Sequence, residues 1–463
     1  MKSYKDLIEQ TFYYPTSEFK TEENRLFFHD VDLMEIVRTY GTPLKLTYLP
    51  KITENIQKAK KLFSDAMKKH NYKGEYKYCY CTKSSHFSFV MEEALMNDIH
   101  IETSSAYDIP IIRNLAGKGK ISKDQYIICN GYKRPLYREY ISDLINDNFN
   151  CIPVLDSLSE LDYYQETIQK PYDIGIRLAA DEEPNFAFYT SRLGIRYNDI
   201  LKIYKERIKQ MPNVRLKMLH FFINTGIKDT AYYWSELSRF VYMYCELKKE
   251  CPELDIIDIG GGFPIRDSLG FEFDYEYMTG QIVENIKWIC HKNNVEVPHI
   301  FTEFGSYTVG ESGATIYSVL DQKLQNDVEL WYMMDGSFIT HLPDVWGINE
   351  KYILLPLNHW DNMYHRVNIG GLTCDSMDYY DSEAHIGEVF LPKIEGDETL
   401  YFGFFHTGAY QESLGGYGGI QHCLIPAPKH IIINKDADGS VTTELFSPEQ
   451  DSESMLRILG YST

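Results

Sequence analysis

The chain has 463 residues, 44% hydrophobic and 24% charged, the balance of a folded globular protein with room for two or three domains. Its 46 basic and 67 acidic side chains leave a formal charge of −21, a field that repels phosphate backbones and excludes nucleic acid as a partner while suiting a cationic small molecule. No run approaches the ~20 apolar residues of a membrane helix, the first residues lack an apolar signal core, and nine scattered cysteines form neither a disulfide framework nor a zinc-ligand spacing. A soluble, cytoplasmic protein with aromatic-rich cores is expected, given 37 Tyr and 24 Phe.

Residues 1–42 carry no regular alternation. A helix is predicted over 53–69, where Ile56, Ala59, Leu62, Phe63, Ala66 and Met67 share a face and Thr53 is a candidate N-cap. Short apolar runs follow at 76–82, 99–102, 126–130, 151–155, 173–179, 216–223, 255–259 and 299–304, separated by helical stretches that include 135–147 and 229–250. Eight consecutive βα units predict a closed parallel (β/α)8 barrel over residues 43–310. From about 311 the texture changes to short β-rich segments at 315–320, 328–334, 352–356, 400–405 and 430–433, with Asp438-Gly439 as a hairpin turn before 441–443. Residues 311–463, joined by 1–42, are expected to form a second, β-rich domain.

In a parallel barrel, functional groups gather where strands end. Here those ends supply Lys83, Glu102, Arg177, the segment 222–226, Gly260-Gly261-Gly262 and Glu303-Phe304-Gly305-Ser306. Three glycines after a strand let backbone N–H groups close on an anion, and phosphate is the natural guest; a plain tight turn is the alternative. A lysine at a strand end between Tyr80 and Phe87 can form a Schiff base through its neutral amine, where a solvated lysine is the bland reading. Glu303 can pair with a protonated pyridine nitrogen and keep that ring an electron sink, or sit in a structural ion pair. In the β-rich region, Cys374 is a candidate proton donor and Asp375 a candidate anchor for a cation, although a single cysteine in a strand is more often a buried hydrophobe.

Six segments, Glu102 to Tyr107, Ile127 to Lys133, Leu342 to Ile348, Leu355 to Leu357, Thr373 to Ser376 and Gly408 to Glu412, resemble in order and spacing the fold-type III pyridoxal-phosphate decarboxylases. That family includes the ornithine, diaminopimelate and biosynthetic arginine enzymes, and the resemblance is closest to the last. It implies an alanine-racemase-like barrel plus β domain, with pyridoxal 5′-phosphate carried on Lys83. Glu102 would lie beside the cofactor, and Gly260, Gly261, Gly262, Thr225, Ser306 and Tyr410 around its phosphate. Glu303 would face the pyridine nitrogen, Arg177 the phenolic oxygen and Phe222 the ring. Cys374 would return a proton to Cα, and Asp375, with Asp344, would hold the distal cationic end of the substrate. The resemblance also implies a homodimer, or an oligomer of dimers, in which Cys374 and Asp375 reach the partner's barrel.

The implied activity is decarboxylation of L-arginine to agmatine and CO2 in polyamine biosynthesis. Decarboxylation of another cationic or diamino acid (ornithine, lysine, diaminopimelate, carboxynorspermidine) is the alternative, as is a catalytically silent regulatory paralogue. Two positions depart from the family pattern: Phe222 stands where a histidine is usual, and Ser306 where an arginine is usual. Mg2+ is compatible with the chemistry, but the sequence offers no ligand cluster for it.

Overall fold

The computed structural model describes residues 16–181, 189–384, 387–436 and 438–461, which divide into two compact units. One consists of residues 53–264 and 273–308; the other gathers 1–52, 265–272 and 309–463.

The first unit is a barrel. Its strands are Tyr76–Cys81, His100–Thr103, Ile127–Cys129, Cys151–Leu155, Tyr172–Arg177, Val214–His220, Ile256–Asp258 and His299–Phe304. Each pairs in parallel with its neighbours in sequence, and the last closes on the first through the register Ile300↔Tyr76 to Phe304↔Tyr80. All eight runs expected from the sequence are present, within one to three residues at their ends. Such strands are covered on both faces, which is why they read as continuous apolar runs. Cys79, Ile128, Ile152, Val154, Met218, Ile256 and Phe301 form a fully buried cluster.

Intervening helices turn an apolar stripe inward. Pro135–Asn146 starts on its proline and buries Tyr137, Ile141, Leu144 and Ile145. Ala231–Lys248 is capped by Thr230, whose hydroxyl accepts from Tyr233 N at 3.1 Å. The helix expected to begin at Thr53 instead spans Pro50–Lys69. Thr53 is therefore interior, and its hydroxyl donates to Glu93 at 2.5 Å, since proline at the first helical position needs no capped N–H.

The second unit is mostly β-structure, with short helices at Leu33–Tyr40, Pro343–Ile348, Gln411–Gly415 and Ser452–Ile458. Phe19–Glu22, Arg25–Phe28 and Val31–Asp32 make a small antiparallel sheet. A ten-stranded mixed sheet holds the rest, and Leu44–Tyr48 lies inside it, antiparallel to Gly313–Gln325 and parallel to Lys429–Lys435. Two aromatic-rich cores follow: Phe19, Phe28, Trp360 and Phe405 in one, Tyr317, Tyr332, Tyr380, Phe402 and Phe404 in the other. The hairpin expected around Asp438-Gly439 is present, joining Lys429–Lys435 to Val441–Ser447.

Candidate active site

The barrel rim at the strand C-termini carries a continuous line of polar contacts. Lys83 sits in the turn Thr82–Ser84 directly after the first strand, and its ammonium donates to Glu102 Oε2 at 3.1 Å. Asn130 Nδ2 lies 3.2 Å from Glu102 Oε1 and 2.6 Å from Glu303 Oε1. Beyond it, His220 Nε2 donates to Glu303 Oε2 at 3.1 Å. Five residues from five strand ends thus span the mouth. Lys83 alone among them is substantially open, its side chain 43% exposed. Its ammonium faces the Glu102 carboxylate, and the Tyr80 hydroxyl donates elsewhere, to Ser85 O.

The carboxylates are pushed apart in acidity, and this separates their roles. Burial raises Glu102 against the pull of the Lys83 ammonium, with the Glu303 charge adding to the rise. Burial would raise Glu303 too, but attraction to His220 and its hydrogen bond outweigh this, with Lys83 and Asp258 assisting, and bring it down to about 2. Asp258, at the end of the seventh strand, is pushed far up by burial and then by the Glu303 charge. Its Oδ1 accepts from Gly260 N at 2.8 Å, and its other oxygen is buried without a hydrogen-bond partner.

The glycine triplet has no room for side chains. A Cβ on Gly260 would meet Phe221 O at 2.5 Å, and one on Gly261 would meet Glu303 O at the same distance. Close backbone approach between adjacent strand ends is thus a structural reason for the triplet. It also leaves a bare backbone cradle beside Thr225, whose buried hydroxyl has no hydrogen-bond partner. Arg177 ends the fifth strand with Nε likewise buried and unpartnered, and its guanidinium lies 5.6 Å from the Phe222 ring centre. Phe222 is 38% exposed, so its face is available to a flat ligand. Ser306 opens the short turn Ser306–Val309 after the eighth strand, half-buried. An amine, an ionised carboxylate, an open aromatic face, and a glycine cradle with an unsatisfied hydroxyl and guanidinium nitrogen fit a phosphorylated pyridine aldehyde.

The remaining expected residues lie in the second unit. Cys374 and Asp375 occupy an exposed loop rather than a strand, with Asp375 Oδ1 accepting from Met377 N at 2.8 Å. Buried Asp378 shapes that loop by accepting from Thr373 N and Oγ1, at 3.1 and 2.7 Å, and from Phe338 N at 2.7 Å. Asp344 is half-buried at the start of Pro343–Ile348, where Gln411 Nε2 donates to it at 2.7 Å; burial raises its carboxyl against that bond. Tyr410 is half-buried in the left-handed conformation, φ 68°.

Asn130, His220, Asp258 and Asp378 were not among the expected site residues. Asn130 and Asp258 carried a positional signal, since each stands at a strand end. Asp378 had none, because only folding brings it against Thr373.

Residues 51–310 match the family model described as pyridoxal-dependent decarboxylase, pyridoxal binding domain. "Arginine decarboxylase 2" of Arabidopsis thaliana is 23% identical over 93% of this chain and 76% of its own length. The corresponding values for the biosynthetic arginine decarboxylase of Prochlorococcus marinus (strain MIT 9215) are 21%, 94% and 85%. The first alignment runs over 554 positions against 463 residues here, so that relative holds inserted segments. Among solved structures, the biosynthetic arginine decarboxylase SpeA from Campylobacter jejuni superimposes with a TM-score of 0.81 at 20% identity, covering 97% of this chain and 90% of that one. Diaminopimelate decarboxylase of M. jannaschii, in complex with L-lysine, gives 0.78 at 18% identity, covering 95% and 96%.

Proposed function

The chain belongs to the pyridoxal-dependent decarboxylases, and from that premise we propose that it decarboxylates L-arginine to agmatine and CO2, as a step of polyamine biosynthesis. The observation that carries the reading is the line Lys83–Glu102–Asn130–Glu303–His220, which joins the amine to the ionised carboxylate that pyridoxal chemistry needs. The arginine relatives, matched over more than nine-tenths of this chain, support the substrate.

Pyridoxal phosphate, when bound, supplies a carbonyl that condenses with amines and a ring that takes up the electron pair released with CO2. Lys83 would hold it, with the Glu102 carboxylate beside its amine. Glu303, held ionised by His220, would keep a proton on the ring nitrogen. Gly260, Gly261, Gly262, Thr225, Ser306 and Tyr410 would hold the phosphate, Arg177 would face the phenolic oxygen, and Phe222 would pack on the ring. Cys374 gives a proton to Cα, and Asp375 and Asp344 hold the distal guanidinium, which a carboxylate grips in two-pronged fashion.

Cys374 and Asp375 act in the barrel of a partner subunit, making the enzyme a homodimer in the cytoplasm, with the second unit as the arm that crosses over. Exposed Leu372, Met377, Ile420 and Leu424, close in sequence to Cys374 and Cys423, support a covered face there. A second reading, in which the substrate is a diamino acid, draws on the structural likeness to diaminopimelate and lysine decarboxylases.

Incubating the holoenzyme with arginine, ornithine, lysine, diaminopimelate and carboxynorspermidine, and measuring CO2 with the amine formed, separates them. Release from arginine is the expected result. Release from a non-guanidino acid alone sinks the arginine assignment, and release from none favours a silent regulatory paralogue.

A further inference from the structure

Cys374 and Cys423 are 49 residues apart in sequence, yet their Sγ atoms lie 3.5 Å apart on the surface of the second unit. His422 joins them: one ligand atom from each of the three residues falls within 4.8 Å of the others. We propose that Cys374, His422 and Cys423 form a soft-metal site that takes Zn2+, and that its occupation withdraws Cys374 from proton transfer.

The spacing is that of ligands around an ion rather than of a covalent pair. A disulfide brings sulfurs to about 2.0 Å, well short of the distance here. Two thiolates bonded to zinc at about 2.3 Å lie about 3.7 Å apart across a tetrahedral edge. Both supporting loops are fixed by hydrogen bonds of their own. Asp378 ties down Thr373 beside the first cysteine. Leu424 N and Ile425 N close a tight turn around the second, at 3.0 and 3.2 Å onto Gln421 O and His422 O. The ligands are therefore pre-positioned, and a fourth place is left to water, as in three-ligand zinc sites. Thiolate and imidazole together select zinc over Mg2+, which prefers oxygen.

The step balances without an oxidant. Two S–H bonds break and two Zn–S bonds form, neutral His422 adds a Zn–N bond, and two protons leave to buffer. A metal ion replaces the proton shared between the two thiols. A thiolate held by zinc has no proton to give, so occupancy opposes decarboxylation. This last consequence rests on Cys374 being the proton donor; the site itself does not.

The test uses the full chain, kept reduced with a non-chelating phosphine, and titrates it with Co2+ as a spectroscopic stand-in for zinc. One equivalent is expected to give a thiolate-to-cobalt band in the near ultraviolet and tetrahedral visible bands, both erased by Zn2+. Cys423→Ala and His422→Ala should each weaken binding roughly tenfold or more while keeping the wild-type circular dichroism. Absence of the thiolate band, or a band indifferent to both substitutions, overturns the site. In a parallel assay zinc should inhibit wild-type decarboxylation, a chelator should restore it, and Cys423→Ala should resist the inhibition. Binding without inhibition keeps the site and overturns instead the role given to Cys374.

Discussion

His220 Nε2 and Glu303 Oε2 meet 3.1 Å apart inside the barrel, with both side chains at least 95% buried. The pair is what keeps a carboxylate ionised where burial opposes charge. Replacing His220 by Ala removes the attraction that brings Glu303 down to about 2, while the burial that opposes its charge remains. The Glu303 carboxyl should then rise above its ordinary value of 4.5, and activity should fall off on the acid side as it protonates. A pH profile of kcat for His220→Ala should show that acid limb shifted upward. An unshifted limb denies that His220 controls the charge of Glu303. Breaking a buried pair of this kind costs about 3–5 kcal/mol, so the variant should also melt earlier.

Lys83 should be the residue that carries the cofactor. Borohydride reduction of the holoenzyme followed by peptide mapping should find the phosphopyridoxyl group on Lys83, and Lys83→Ala should lose the yellow absorbance. A label on any other lysine contradicts the site as drawn.

Cys374 and Asp375 should affect different kinetic constants. Cys374→Ala should lower kcat by about 10²-fold or more with KM little changed, because the proton is needed after binding. Asp375→Asn should raise KM for arginine chiefly, because the charge it offers is felt before the chemistry. Equal effects of both substitutions on both constants contradict this division of labour.

A second buried ionic cluster sets a pH window for the β-rich unit. His406 Nε2 lies 2.7 Å from Glu18 Oε1, with His29 and Arg266 also against that carboxylate. Burial would raise Glu18, yet His406 and His29 hold it well below its usual 4.5. Burial would lower His406, yet Glu18 lifts it above 6.5. The lowered acid contributes stability above about pH 4.5 that is lost as pH falls through its folded value. The raised base contributes stability below about pH 6.5 that is lost as pH rises through its own. The stability difference between wild type and Glu18→Gln in urea unfolding should therefore peak near pH 4.5–6.5 and shrink on both sides. A difference flat from pH 4 to 9 rules the linkage out.

The barrel was legible because its strands, buried on both faces, announce themselves as apolar runs between amphipathic helices, and because their ends pick out Lys83, Glu102 and Glu303. Thr53 was misread because Pro50 begins the helix a turn earlier, where proline needs no cap. Leu44–Tyr48 fell inside the barrel range expected from 43 to 310, yet it pairs in the β-rich sheet, since its partners come from the other end of the chain. Asn130 was hidden for a different reason: it bridges Glu102 and Glu303, and pairing across a barrel leaves no local pattern. The union of Cys374 with His422 and Cys423 is the extreme case, since two loops must fold before the cluster exists.

The place of Leu44–Tyr48 also bears on how the chain is made. This strand leaves the ribosome early, yet its neighbours Gly313–Gln325 and Lys429–Lys435 emerge only after the whole barrel sequence has been translated. For most of synthesis it is an apolar, unpaired edge, the kind of segment that invites aggregation. The barrel, whose strands pair with sequence neighbours, can form meanwhile, while the sheet must wait for the last residues and close over long separations, a slow step. Closure of this sheet, rather than barrel formation, should therefore be the step at which this enzyme most depends on chaperones.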